Sequence, residues 1–391
     1  MEEEIVPVSI KDRISSIDIL RGFALLGILL VNILGFNASF FNFGGFYQHL
    51  PDPVQAKFYT VYISLTADKF IFLFGFLFGY GICLQYNKFE EKSGKFSRFF
   101  SRRMLVLSAF GILHILLLWA GDILLTYSIA GLLMLLFRKL STKWLIIMAV
   151  FFYFFIGIWL TIGVKLPLPD ALSLTCTECL EKAKIIYTNG SYSECLVLRL
   201  KEYFSFRYIN AFYYLPKIIG ITIFGFLAAK YKFHQNVKMN WLRWSIVLLI
   251  IALLAVVFYF NYEKIVDFKS LFANAVYMTS YEFTNIFIAF SYLLFILLIS
   301  SNATIARFLK PVALMGQMSL SNYIMQSIIL SIVFYGWGFG IFGQTSLTLL
   351  LLIAVCIYFF QLFLCILWFK FYTQGPLEKL WRMISYKEIT A

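Results

Sequence analysis

The chain has 391 residues, of which 61% are hydrophobic, 20% aromatic and only 14% charged, against roughly 25% charged in soluble domains. A mean hydropathy of +0.82, carried by apolar runs that reach the ~20 residues needed to cross a bilayer, excludes a string of soluble catalytic domains. The formal net charge of +13 reads as basic loops flanking apolar spans and not as a nucleic-acid surface, because no basic–aromatic module accompanies it.

In chain order the apolar runs predict an all-α, polytopic transmembrane helix bundle forming a single integral membrane domain over 1–391. About ten spans are expected, near 17–36, 60–86, 104–120, 123–140, 144–163, 212–230, 243–261, 284–300, 312–335 and 346–370. The chain opens Met-Glu-Glu-Glu, and no small-residue cleavage site follows the first apolar stretch, so that stretch is expected to be a retained span. Alternate loops, with the two ends, hold 21 Lys and Arg on one side and 9 on the other, six of the 9 in segment 164–215. The positive-inside rule then places both termini in the cytoplasm. Segment 164–215 mixes Leu, Ile and Tyr with charged residues, and reads as an extracytoplasmic amphipathic loop of one or two helices on the membrane surface. Within it, Asn189-Gly190-Ser191 reads as a turn in preference to a glycosylation acceptor. Cys176, Cys179 and Cys195 have no neighbouring His and make a poor zinc site, while a disulfide among them stays open if the loop faces an oxidising compartment. Cys83, Cys356 and Cys365 read as span packing.

Charges inside a bilayer cost about 2.5–3.5 kcal/mol each on insertion scales, so polar residues within spans are where function is sought. In the first span Asp18, Arg21 and Asn32 fall on one helical stripe, either an ion pair anchoring the helix end or part of a site. In the second, Asp68 shares a face with Phe72, Gly75 and Gly79, whose GxxxG spacing is a close-packing signal. His114 lies in the outer third of the third span, and Asp122 sits in the tight turn that follows. A carboxylate there could fix the imidazole tautomer for general-base chemistry, or the histidine could serve only an interhelical hydrogen bond. Ser319, Asn322, Tyr323 and Gln326 form an uncharged polar stripe on the ninth span, which could line a cavity or knit helices together. Arg98, Arg102 and Arg103 lead into the third span, as a lipid anchor or as a landing site for donor phosphates. No Walker motif, no GxGxxG after a strand and no HExxH is present, and no metal site is expected.

Several of these segments together resemble the bacterial membrane family built on the YeiB-like domain of unknown function. They are Asp18-x-x-Arg21-Gly22 continuing to Gly27 and Asn32, the Phe-rich Phe74-Gly75 to Gly81, His114 with Gly121-Asp122, Gly316-x-Met-Ser319-Leu-x-Asn322-Tyr323-x-x-Gln326-Ser327, and Gly375-Pro376-Leu-Glu378-x-Leu-Trp381-Arg382. That family is similar to a wider group of transmembrane acyltransferases, which includes the lysosomal heparan-glucosaminide acetyltransferase and enzymes that acetylate cell-wall sugars. The resemblance implies a multi-pass protein of the bacterial plasma membrane that passes an acyl group from cytoplasmic acyl-CoA to an acceptor at the outer face by means of a histidine. His114 belongs to the YeiB-like pattern, and His49 resembles the region around the lysosomal enzyme's histidine.

On this reading Arg98, Arg102 and Arg103 meet the CoA, and Arg21 with Asp18 holds the donor path. His114, oriented by Asp122 or Asp68, deprotonates the acceptor, and Asn32, Asn322 and Gln326 stabilise the oxyanion. Acyl-CoA is a co-substrate and no bound cofactor is expected. The bilayer and an unidentified acceptor are the partners, without nucleic acid, and a Gly-rich, Phe-lined helix pair could serve a homodimer. The rival reading is a transporter or lipid-handling protein without covalent chemistry.

Overall fold

In lipid, an apolar run must satisfy its backbone internally, and the helix is the local way to do so. The computed structural model describes residues 13–39, 52–92, 96–155, 159, 177–262 and 271–386, and these are helical with no strand among them. The helices are α1 Ser15–Asn37, α2 Pro53–Thr66, α3 Lys69–Lys92, α4 Phe96–Leu117, α5 Leu124–Phe137, α6 Thr142–Tyr153, α7 Thr177–Asn189 and α8 Tyr192–Ser205. A single turn at Arg207–Ile209 and a π-helical turn at Asn210–Tyr214 lead into α9 Leu215–Lys230. Then follow α10 Phe233–Met239, α11 Trp241–Tyr262, α12 Leu271–Ile299, α13 Ala303–Phe308, α14 Lys310–Gln317, α15 Ser319–Phe334, α16 Leu347–Phe371 and α17 Pro376–Tyr386.

Among the described residues, seven helical stretches are long and apolar enough to cross a membrane: Ser15–Asn37, Pro53–Glu90, Phe96–Leu117, Asn210–Lys230, Trp241–Tyr259, Ala275–Ile299 and Leu347–Phe371. The other three expected spans fall on shorter apolar helices, Leu124–Phe137, Thr142–Tyr153 and Ser319–Phe334. The protein is a multi-pass membrane protein of all-α architecture.

Two expected spans are broken. The second divides between α2 and α3 at Asp68, whose φ of +64° is left-handed and unusual for a residue with a side chain. The ninth divides between α14 and α15 at Met318. There the Glu378 carboxylate, from α17, accepts from the Leu320 and Ser321 amides at 2.8 and 3.1 Å and from the Ser321 hydroxyl at 2.5 Å. An anionic cap on exposed amides starts a helix anew, and Glu378 does so across 58 residues of sequence.

Close backbone approach sets the packing. A Cβ on Gly79 of α3 would lie 1.9 Å from the Thr222 carbonyl of α9, and one on Gly225 of α9 would lie 1.9 Å from the Phe76 carbonyl of α3. With Gly75 against Ile221 and Asp68 against Lys217, the face read from the GxxxG spacing is filled by α9 of the same chain. Helices α1 and α14 meet in the same manner at Gly22 and Gly316.

Helices α7 and α8 form a hairpin turned at Asn189, Gly190 and Ser191. Ser191 and Glu194 build a capping box, with the Ser191 amide 2.8 Å from the Glu194 carboxylate. The hairpin sits over the bundle end where α1, α4 and α15 finish. Arg199 donates to the Leu116 carbonyl at 2.7 Å, Ser39 and Tyr187 donate to Glu202, and the Tyr187 ring stacks on Tyr335. The Cys195 thiol is free, 3.3 Å from the Ile186 carbonyl. Cys176 and the Cys179 side chain lie outside the described residues. His234 is half-buried on α10 and bonded to Tyr80.

Candidate functional site

Three polar groups are buried in the bundle, and only two of them belong together. The first is built by the turn between α4 and α5. Asp122 Oδ1 accepts from the Leu125 amide at 2.8 Å, so the carboxylate caps α5 in the placement that helix N-termini favour. Its other oxygen lies 3.0 Å from His114 Nδ1 on the last turn of α4. The contact is close but stands off the line of a straight hydrogen bond. His114 Nε2 is 2.8 Å from Ser327 Oγ on α15, and the His114 ring lies against that of Tyr323, with centroids 5.1 Å apart. The His114 and Asp122 side chains are fully buried, and Ser327 is equally enclosed.

The second group is the mouth of a cavity of about 700 Å³ at the opposite end of the bundle from the α7–α8 hairpin. Arg13, Arg21, Lys88, Arg103 and Arg382 stand around it with two acids, Asp18 and Glu378. Asp18 is held bidentately by Arg13, at 2.8 and 2.9 Å, and singly by Arg21 at 3.1 Å. The Arg103 guanidinium lies 3.6 Å from the centre of the Trp381 ring, whose Nε1 donates to the Arg103 carbonyl. Burial pushes the Glu378 carboxyl up from the usual glutamate range, against the hydrogen bonds it accepts from Ser321 and Leu320. Deeper in, the walls turn apolar with Phe74, Phe78, Phe100, Met104 and Leu107, and the lining reaches Ile123, Leu124 and Tyr323. Tyr323 therefore touches both groups: it lines the cavity, and its ring packs on His114. Along α4 the distance from Arg103 to His114 is eleven residues, about 16 Å at 1.5 Å per residue.

The third group stands apart. Lys217 on α9 lies 3.0 Å from Asp68 and 2.8 Å from Glu282 on α12. The Tyr213 hydroxyl, in the π-helical turn, lies 3.0 Å from Asp68 and 2.7 Å from Glu282, to which it donates, and Tyr281 donates to Asp68 at 3.3 Å. Lys69 lies over the Tyr281 ring.

Several sequence expectations change accordingly. Asp68 does not orient His114, because Lys217 and two tyrosines occupy it; the carboxylate that meets His114 is Asp122. Of the three arginines before the third span, Arg103 lines the cavity and Arg98 and Arg102 do not, since successive positions on a helix point 100° apart. Ser319 and Tyr323 line the cavity. Asn322 donates to the Met315 carbonyl at 3.2 Å, and Gln326 donates to Gln361 of α16 at 2.9 Å, so this half of the polar stripe knits helices. Asn32 is half-buried and does not line the cavity. His49 lies outside the described residues. Arg13, Lys88, Arg382 and Ser327 were not singled out from sequence as site residues. For Arg13 the sequence signal was a basic segment beside a span, while Ser327 and Arg382 appeared only as members of the segments that carry the YeiB-like resemblance, with no role attached. Among the described residues no cluster of His, Cys, Asp and Glu could hold a metal ion.

Residues 227–388 match the family model described as "Protein of unknown function (DUF418)". That segment carries Ser327, Glu378 and Arg382 but neither His114 nor Asp122. Over nearly the full length the chain is similar to bacterial proteins. It is 27% identical over 402 residues to "Uncharacterized protein YxaH" of Bacillus subtilis (strain 168), covering 97% of this chain and 96% of that one. It is 28% identical over 380 residues to an uncharacterized 39.9 kDa protein from the amylase 3' region of Bacillus acidopullulyticus, with coverages of 97% and 96%. It is 24% identical over 414 residues to "Uncharacterized protein YeiB" of Escherichia coli (strain K12), with 96% of each chain covered.

Proposed function

The chain belongs to a YeiB-like family of proteins of unknown function, and on that premise we propose that it is a transmembrane acyltransferase of the bacterial cell membrane. It takes an acyl group from cytoplasmic acyl-CoA and delivers it to an acceptor at the outer face. The observation that carries the reading is His114, buried between Asp122 and Ser327 beside Tyr323, where Tyr323 walls a cavity whose far mouth is ringed by five cations.

Each part has a chemical task. The basic mouth is the cytoplasmic end, in agreement with the excess of Lys and Arg in that set of loops. Guanidinium groups there pair with the phosphates of a nucleotide-bearing donor. The apolar depth takes the acyl-thioester arm and excludes water. Asp122, fixed by the Leu125 amide, holds a proton on His114 Nδ1 and leaves Nε2 as the base. Tyr323, which lines the cavity and packs on His114, is where the acyl group, and not the charged donor, completes the crossing.

Binding is the first test. Ligand that binds only the folded state stabilises it by about 2.7 kcal/mol at a hundred times Kd. Acetyl-CoA should therefore raise the melting temperature of the detergent-purified protein. Arg103→Ala with Arg382→Ala should weaken the effect at least tenfold in concentration, about 1.4 kcal/mol, whereas His114→Ala should keep it. Absence of any shift with acetyl-, octanoyl- or palmitoyl-CoA would overturn the reading.

One set of observations favours the rival. A helix broken at a left-handed Asp68, a π-helical turn at Asn210–Tyr214 and the buried Asp68–Lys217–Glu282 group are features that transporters place around coupling ions. Uptake that collapses on adding a protonophore, with no consumption of acyl-CoA, would select a transporter.

A further inference from the structure

We propose that Ser327 is the nucleophile of this site and carries the acyl group as a covalent ester, so that transfer proceeds in two half-reactions; the inference rests on the acyltransferase reading above. Three observations support it.

The first is the partner that Ser327 has. A serine in a helix interior ordinarily gives its hydroxyl to the carbonyl four residues back. For Ser327 that distance, to the Tyr323 carbonyl, is 3.4 Å, while His114 Nε2 is at 2.8 Å. The shorter contact of the hydroxyl is therefore with the imidazole, across 213 residues of sequence and between two helices.

The second is what stands behind the imidazole. Asp122 Oδ2 is 3.0 Å from Nδ1, so hydroxyl, imidazole and carboxylate stand in the order that activates serine nucleophiles on unrelated folds. The off-line approach of Asp122 to Nδ1 is the loose geometry such sites show before substrate tightens them.

The third is an idle donor one turn away. The Tyr323 hydroxyl is buried beside Asp122 and the Ile123 backbone N–H, and its own O–H has no acceptor at hydrogen-bonding geometry among the described residues. Burying a phenol with its donor unused is costly. Tyr323 lines the cavity and packs on His114, so its phenol stands by the Asp122 side of the imidazole with a donor left for a group that enters from the cavity.

The chemistry balances without a further reagent. In the first half-reaction the Ser327 proton passes to His114 Nε2 and Oγ bonds to the thioester carbonyl carbon. The C–S bond then breaks, and the CoA sulfur takes the proton from Nε2 and leaves as thiol. In the second, an acceptor hydroxyl or amine gives its proton to Nε2 and bonds to the ester carbonyl. The C–Oγ bond breaks, and Oγ recovers the proton. Donor and acceptor need never occupy the site together, which suits substrates arriving from opposite faces.

The experiment uses full-length protein in detergent with acetyl-CoA labelled in the acetyl carbon and no added acceptor. Wild type should release a burst of CoA thiol equal to the amount of protein and retain hydroxylamine-labile label in the peptide 319–334. Ser327→Ala should lose both, with acetyl-CoA still raising its melting temperature, which shows that it is folded. Ser327→Cys should keep the burst and carry the label as a thioester, and Tyr323→Phe should slow the burst about 10²–10³-fold. Label that persists in Ser327→Ala, or that maps to His114, overturns Ser327 as carrier and leaves the transferase standing. So does a wild type that binds acetyl-CoA yet shows neither label nor burst. A wild type that binds no acyl-CoA overturns the transferase reading along with the inference.

Discussion

The bundle holds two buried groups of titratable side chains, and they are finished to different degrees. Around Lys217, positive and negative charges balance, both carboxylates accept from tyrosine hydroxyls as well as from the ammonium, and none of these residues lines the large cavity. Around His114 there is one imidazole, one carboxylate and one hydroxyl, with an unpaired phenol nearby and a cavity wall shared through Tyr323. A closed set of charges resists disturbance because each loss strands a partner in low dielectric. An open set leaves bonding capacity for something that arrives. On the proposed reading the difference separates a fold-holding network from a reaction centre.

The contrast can be broken experimentally, beginning with the largest effect. Lys217→Ala leaves Asp68 and Glu282 without the ammonium that both bond, with Lys69 a cation still beside them, and the cost should be about 3–5 kcal/mol, read as a steep fall in melting temperature or in folded yield. The triple change Lys217→Met, Asp68→Asn, Glu282→Gln should recover much of that loss. If the triple variant is stable and transfers acyl groups at the wild-type rate, the network serves the fold alone.

His114→Ala and Asp122→Asn should do the converse. Transfer should fall about 10²–10⁴-fold, while the melting temperature moves less than in Lys217→Ala. An Asp122 variant that loses more stability than activity would assign the carboxylate to capping α5 instead. Gly79→Ala, which drives a methyl into the Thr222 backbone, should cost about 1–3 kcal/mol without altering acyl-CoA affinity, since Gly79 does not line the cavity.

The smallest effect lies in the hairpin. The Ser191 amide and hydroxyl hold the Glu194 carboxyl below its usual range. A depressed carboxylate contributes stability that is complete above the unfolded value and lost as pH falls through the folded one. Amide exchange over 192–205, corrected for its intrinsic pH dependence, should accelerate at acid pH, and Glu194→Gln should remove the dependence.

How much of this was legible follows from the range of each interaction. Apolar length is local, so the expected spans fall on helices over most of their described residues, and the tight turn after α4 already put Asp122 near His114. The helix breaks were not legible. A left-handed Asp68 answers to Lys217, 149 residues away, and the restart at Ser319 answers to Glu378. Arg103 was recognised with two neighbours that the helix turns away from the cavity. Arg382 reaches the same mouth only because α17 folds back beneath α15. Ser327 looked like one more small polar residue in an apolar helix, and only its distance to His114 distinguishes it.

The most direct test of the central claim is a structure of the protein bound to a thioether analogue of acetyl-CoA, which cannot transfer its acyl group. The account expects the phosphates among Arg13, Arg103 and Arg382 and the acyl end against Tyr323, within reach of Ser327 and His114. An analogue bound at the hairpin end, or along the Asp68–Lys217–Glu282 group with the cavity empty, would contradict it.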